Sequence, residues 1–314
     1  MFDQNRLREL ISAIQKSIRW CDVNASRYFA RELIKMGTPN AVFGQLRIIA
    51  AEDIGLADPS MVGYVSECLD SIDDLIKQYG IEKKDVINVP ELPEIVDRAV
   101  IAEALSYKSR LLPMATFATL FDIYKNEKFS ESKYKYFELF VDALVNDNEK
   151  KALYYAFIVD KISGDKKPIL RKIQDQIGKR NEDLIQKWID EYEKHGKLLN
   201  LAGSIVLLCR DLDPPNHGEY KDSIRQYLPN QVKEAKIPNR AYDMHTRAGK
   251  NRGRGLKHFL KEGASVNQER FPNDWEEAGT DASYSADREG LADDDKIIKA
   301  IKKKRQAQTV LLTI

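Results

Sequence analysis

Three cysteines in 314 residues, Cys21, Cys68 and Cys209, are odd in number and share no CxxC spacing. They exclude a disulfide framework and a cysteine zinc site, and read as reduced, mostly buried thiols of a cytoplasmic protein. His195, His217, His245 and His258 lack HExxH spacing, so ligand spacing gives no metal site. Long apolar runs are also missing. The longest, around residues 205–208, is far too short for a bilayer, and the first twenty residues hold no apolar core for a secretory signal. No GxxxxGK[ST] loop occurs in the chain, and no strand ends in paired acids, so it carries no phosphate-loop ATPase machinery of its own. Net charge is +1, which leaves any choice of a polyanionic partner to local patches. No cofactor is expected.

What is present is helical periodicity. Leu7, Leu10, Ile11, Ile14 and Ile18 step by three and four, giving one apolar stripe. Asp22 caps a second helix that Gly37 ends, Thr38-Pro39 starts a third running through Ile54, and Asp58-Pro59 starts a fourth that runs to about Tyr79 before Gly80. Residues 81–92 read as a loop, 94–110 as a helix, and 126–132 as a turn after the helix beyond Pro113. Helix pairs follow at 133–147 with 149–163 and at 168–178 with 181–195, Gly164-Asp165 separating them. The aromatic stripe of the first pair reads as core. Residues 198–210 form an apolar central helix. Without sustained period-two alternation, an extended sheet is not expected. The fold class is all-α: a multi-helix bundle continued by further helical hairpins, divided as 1–125, 126–212 and a charge-segregated, partly irregular 213–314.

In that last region Pro214, Pro215, Pro229 and Pro238 punctuate short helices. Residues 233–261 hold nine Lys/Arg against two acids, 262–295 eleven acids against two Arg, and 296–305 six Lys/Arg and no acid. The middle block reads as a flexible solvated segment. The last reads as a short basic helix with Ile297, Ile298 and Ile301 on one side, and the TVLLTI end as a tail that frays unless docked.

KSIRWCD (16–22) and AEDIGLADP (51–59) resemble the segment that follows the ATPase module in RarA/MgsA-type AAA+ ATPases and the related Werner-helicase-interacting protein. Lys16, Ser17, Arg19 and Asp22 match the first string; Arg47, Glu52, Asp53, Ile54, Gly55, Ala57, Asp58 and Pro59 match the second, with Ala51 where the family usually has serine. AVIAEALSYKSR (99–110) resembles a later family helix through Ala104, Leu105, Lys108 and Ser109, with Tyr107 where proline is usual. About residues 7–125 carry the resemblance. It implies a clamp-loader-collar-like helical domain that forms homo-oligomers, in a setting of DNA replication and repair. The family's ATPase is not implied, because its phosphate loop is absent. Met1 favours a complete chain.

Two clusters are candidate sites. Glu52 and Asp53 sit at a helix C-terminus, where the macrodipole disfavours negative charge, so a cation from Lys16, Arg19 or Arg47 is expected beside them as a structural ion-pair cluster. Gly55 is expected in the left-handed position that ends this helix, and Asp58 at the restart. HTRAGKNRGRGLKHF (245–259) sets Arg247, Lys250, Arg252, Arg254 and Lys257 among Gly249, Gly253 and Gly255, a pattern suited to phosphate. Its alternative is a basic segment docked on acidic helices. No catalytic residue stands out: Ser17 and Ser204 lack a nucleophile-elbow context, and Asp73-Asp74 and Glu276-Glu277 suit solvated faces. The leading expectation is a non-catalytic oligomerisation and assembly protein of DNA replication, recombination or repair. Its partners would be further copies of the chain, DNA or a replication protein, and a separate AAA+ subunit, with no membrane. The alternatives are a nucleic-acid or nucleotide-phosphate binder acting through the basic segment, and an enzyme with an unrecognised site in 126–314.

Overall fold

The computed structural model describes residues 3–163, 167–177, 182–210, 212, 218–270, 274–291 and 293–311. His217, the break at Gly164-Asp165, the Pro214-Pro215 pair and the last three residues of the TVLLTI tail lie outside them. Among the described residues every regular element is helical, and the one extended pairing is an isolated parallel bridge between Lys108 and Glu269. The fold is all-α. No described helix is long and apolar enough to cross a membrane.

The chain forms two compact units, each built from an early and a late stretch: residues 1–110 with 214–272, and residues 111–213 with 273–314. In the first unit, α1 (Gln4–Arg19) begins where Asp3 accepts hydrogen bonds from the amides of Asn5 and Arg6. Leu10, Ile14 and Ile18 are its buried stripe. Asp22 accepts from the Ala25 amide at 3.0 Å and so starts α2 (Val23–Lys35). Gly37 turns the chain at φ +75° into α3 (Pro39–Ile49). Thr38 does not cap α3 as its position suggests; its hydroxyl donates back to the Leu33 carbonyl at 2.8 Å, closing the end of α2.

The third helix does not continue regularly to Ile54. Its last turn widens into a π turn (Ala50–Ile54) and then tightens into a 3-10 turn (Gly55–Ala57). Gly55 sits at φ 51°, ψ −127°, outside the left-handed helical well expected of it but in a region that still needs glycine. α4 (Met61–Tyr79) closes on Gly80 in the left-handed conformation. Residues 83–88 form a short 3-10 turn inside the expected loop. α5 (Leu92–Leu105) stops before the expected Arg110. The Ser106 hydroxyl bonds back to the Ala102 carbonyl at 2.7 Å and its backbone turns extended, which frees residues 106–110 to run as a strip.

The late stretch of this unit is tied in by charge as well as by packing. From α2, Arg27 reaches Asp97 of α5 at 2.8 Å and donates to the carbonyls of Tyr227, Leu228 and Asn230, at and just after the end of α12 (Gly218–Tyr227).

In the second unit, α6 (Leu111–Asn126), α7 (Lys133–Val145), α8 (Glu149–Ser163), α9 (Lys167–Ile177) and α10 (Glu182–His195) surround α11 (Leu198–Cys209), whose face from Leu201 to Leu207 is buried. Tyr136, Phe140 and Phe157 are core, whereas Tyr134 faces solvent. The acidic block is not a loose segment. It contains α15 (Glu276–Arg288), whose small residues Gly279, Ala282 and Ala286 are buried, with Gly279 against Met114 of α6. Charge density hid this helix, because its contact face is made of small residues that contribute little hydropathy. α16 (Asp294–Leu311) follows with Ile297 and Ile301 buried.

Candidate functional site

The first unit gathers the sequence motifs at one place. The π turn carries the Asp53 carboxylate inward, where it is fully buried. Arg19, at the end of α1, approaches Asp53 Oδ1 through Nε at 2.7 Å and Glu52 Oε1 through Nη2 at 3.3 Å. Arg110 Nη1 lies 3.2 Å from the same Asp53 oxygen and 3.3 Å from Glu52, and Gln15 Nε2 donates to Asp53 Oδ2 at 3.0 Å. Burial pushes the Asp53 carboxyl up, but Arg19, Arg110 and the Gln15 hydrogen bond outweigh it and hold the group below its ordinary value. The Asp53 carbonyl accepts from the Ser109 amide at 2.9 Å, joining the motif to the 106–110 strip.

Of the three cations expected near this pair, only Arg19 is there. Lys16 instead meets Asp243, at 2.7 Å, and Arg47 comes within 3.8 Å of Asp70. Burial, then the Arg19 charge, lowers Lys16 to about 8 despite Asp243. The Asp243 carboxyl is raised by burial but held well below its usual range by the His245 hydrogen bond and by Lys16. Arg110 and the half-buried Gln15 were missed because nothing near either in sequence marks it as a partner of Asp53; Asp243 could have been suspected as one of two acids within a basic block. Asp58 is buried and accepts from the hydroxyls of Ser60 at 3.0 Å and Ser106 at 3.4 Å. Lys108 is fully buried. Its ammonium donates to the carbonyl of Ser106 and to that of Ala104 at 3.3 Å, and stands 3.8 Å from Cys21 Sγ. The three cysteines are half-buried free thiols rather than core ones. Among the described residues no group of three or more His, Cys, Asp or Glu is placed to hold a metal.

Residues 239–270 close over these motifs. The Ala241 carbonyl accepts from Ser12 at 2.7 Å, the Gly263 carbonyl from Arg19, and the Asn267 amide donates to the Arg19 carbonyl at 2.8 Å. Lys108 exchanges backbone hydrogen bonds with Gln268 and Arg270, each 3.2 Å. Within the basic segment, Arg254 donates to the carbonyls of Asn239 and Tyr242, and Arg252 donates to the Asn239 side chain and lies over the Tyr242 ring at 4.1 Å. These two arginines hold the segment's own fold. Arg247, Lys250 and Lys257 point to solvent and have no ion pair among the described residues. Two glycine amides are already engaged, Gly249 with Thr246 Oγ1 and Gly253 with the Lys250 carbonyl. Gly249 permits a close approach instead: a Cβ there would lie 1.9 Å from the Asp243 carbonyl oxygen.

The arrangement is one of carboxylates neutralised in place, around a motif that starts at Lys16 and ends at Arg110. Residues 21–130 match the family described as MgsA AAA+ ATPase C terminal. The N-terminal part of the chain is thus similar to the C-terminal segment of MgsA-type AAA+ ATPases. Among curated relatives, the replication-associated recombination protein A of Bacillus subtilis is 33% identical over 115 residues, covering 37% of this chain and 24% of that protein. An uncharacterized AAA domain-containing protein of Mycobacterium tuberculosis is 30% identical over 122 residues, 38% of this chain and 24% of its own length. The chain thus spans about a quarter of the length of the curated relatives it matches. No solved structure matches it. The MgsA match includes Glu52, Asp53, Asp58, Lys108 and Arg110, and leaves out the 239–270 stretch that packs on them.

Proposed function

We propose that this chain is a non-catalytic assembly module of DNA replication, recombination or repair, which forms oligomers with further copies of itself and works with an AAA+ ATPase. The observation that carries this reading is the MgsA-type segment at residues 21–130. Its supporting geometry is that the buried Arg19, Asp53 and Arg110 and the half-buried Glu52 neutralise one another, so none is poised as an acid, base or nucleophile. An assembly role places no demand on them beyond fixing helix register. Sedimentation velocity over a hundredfold concentration range tests it. The reading requires a species of at least two chains that dissociates on dilution or persists as one size, and a monomer at every concentration overturns it.

A second reading is supported by one observation of its own. Arg247, Lys250 and Lys257 are exposed cations on a segment whose acid, Asp243, is already neutralised by Lys16. Such a patch fits a phosphate backbone, with affinity that falls steeply as salt rises. Retention on a heparin column that ends at low salt for the Arg247, Lys250 and Lys257 charge-reversal variant supports it; equal retention of both proteins rules it out.

A further inference from the structure

The basic segment does not stand alone on the first unit, because aromatic rings accompany its cations. Trp20, directly after Arg19, is 39% exposed, and the Arg240 guanidinium lies over its ring at 3.9 Å. Tyr107, directly before Lys108, is 44% exposed, with Arg270 over it at 5.4 Å. Arg252 covers Tyr242 in the same manner. Exposed tryptophan is costly in apolar surface left to water, and here it sits at the end of α1 directly after the fully buried Ile18 and Arg19. Arg240 is half-buried, and the nearby Asp22 favours its charge, whereas Lys233, Lys236, Arg247, Lys250, Lys257 and Lys261 are exposed.

These features are adjacent. Residues 239–242 carry Arg240 and Tyr242 and are held by Arg252 and Arg254. Residues 267–270 bond to Arg19 on one side of Trp20 and to Lys108 beside Tyr107. Trp20 and Tyr107 therefore flank a single strip of the unit, next to a stretch with nine Lys/Arg in 233–261.

We propose that this face binds single-stranded nucleic acid: Trp20 and Tyr107 stack bases, Arg240 and Arg270 extend the stacking planes, and Arg247, Lys250 and Lys257 hold the phosphates. A duplex hides its base faces and can use only the cations, whereas a single strand can use both. The inference rests on the phosphate-binding reading and adds the strand preference and the aromatic residues to it.

The test uses the full chain with fluorescein-labelled oligodeoxythymidine and a duplex of equal length at two salt concentrations, following anisotropy and tryptophan emission. Trp188 is fully buried and Trp275 nearly so, which makes Trp20 the emitter that a bound base reaches. The single strand is expected to bind more tightly than the duplex and to quench emission. Trp20→Ala should abolish the quench and weaken binding about fivefold to a hundredfold with its salt dependence kept. Tyr107→Ala should weaken binding in the same manner and serves as the check if Trp20→Ala melts early. Charge reversal of Arg247, Lys250 and Lys257 should lower the slope of log affinity against log salt by about two. Equal affinity for both nucleic acids with no quench overturns the aromatic platform and leaves the phosphate reading standing. No binding of either at low salt removes both.

Discussion

Replacing Asp53 with asparagine keeps the side-chain shape and one acceptor oxygen but removes the charge that Arg19 and Arg110 face. Both guanidiniums are almost inaccessible, at 1% and 9% exposure, so water cannot take over the role of the carboxylate. Removing one member of a buried ion cluster costs about 3–5 kcal/mol, because the remaining charges stay desolvated without their partner. For a unit of this size, each kcal/mol lowers the melting temperature by about 2–4 °C, so D53N should melt about 6–20 °C lower. The pH dependence follows from the sign of the shift. The Asp53 carboxyl lies below its ordinary value in the folded chain. Its contribution is therefore present above the unfolded carboxylate range, near pH 4, and is lost as pH falls through the folded value. The gap between wild type and D53N should be full at pH 7 and shrink below about pH 4. Thermal and urea unfolding followed by circular dichroism at both pH values measure it. A melting temperature unchanged at pH 7, or a gap that does not depend on pH, refutes the reasoning.

Glu103 gives the opposite sign. It is fully buried, neither carboxylate oxygen has a hydrogen-bond partner among the described residues, and burial raises it well above its ordinary value. The folded state thus holds its proton longer than the unfolded one, and stability falls as pH rises through the unfolded carboxylate range toward the folded value. Glu103→Gln should stabilise the chain by about 1–3 kcal/mol at pH 7 and do little at pH 4, as urea midpoints will report. Gly249→Ala should lower stability by about 1–3 kcal/mol, because its methyl group collides with the Asp243 backbone; an unchanged urea midpoint argues against that close approach. Gly203→Ala tests the second unit in the same way, since a Cβ there would fall 2.1 Å from the buried Trp188 ring, and a proteolysis-resistant variant with an unchanged melt would contradict the packing.

Much of the first unit was legible because its punctuation is local. Asp22, Gly37, Pro39 and Gly80 act within one turn of their own position, so both ends of α2, the start of α3 and the end of α4 follow from sequence. The apolar stripe of α1 and the run 198–210 were equally plain. What was hidden depends on distant partners. A π turn at 50–54 leaves no compositional trace, yet it places Asp53 in the interior. Ser106 ended α5 early through a bond to its own helix, which no periodicity announces. The partners Arg110, Asp243 and Gly263 come from 57 to 244 positions away from the residues they meet, and only the folded chain brings them together. For the basic segment, the sequence showed five cations alike, and the structure divides them: Arg252 and Arg254 hold the turn, and three face outward.

The central claim is that the MgsA-type motif residues serve the structure itself, in one cooperative cluster with residues 239–270. Amide hydrogen exchange on wild type and D53N, read at the peptides covering 15–21, 106–110 and 263–270, tests it most directly. The account predicts that all three are protected in the wild type and lose protection together in the variant. Residues 263–270 exchanging as in the wild type while the other two peptides open would contradict it.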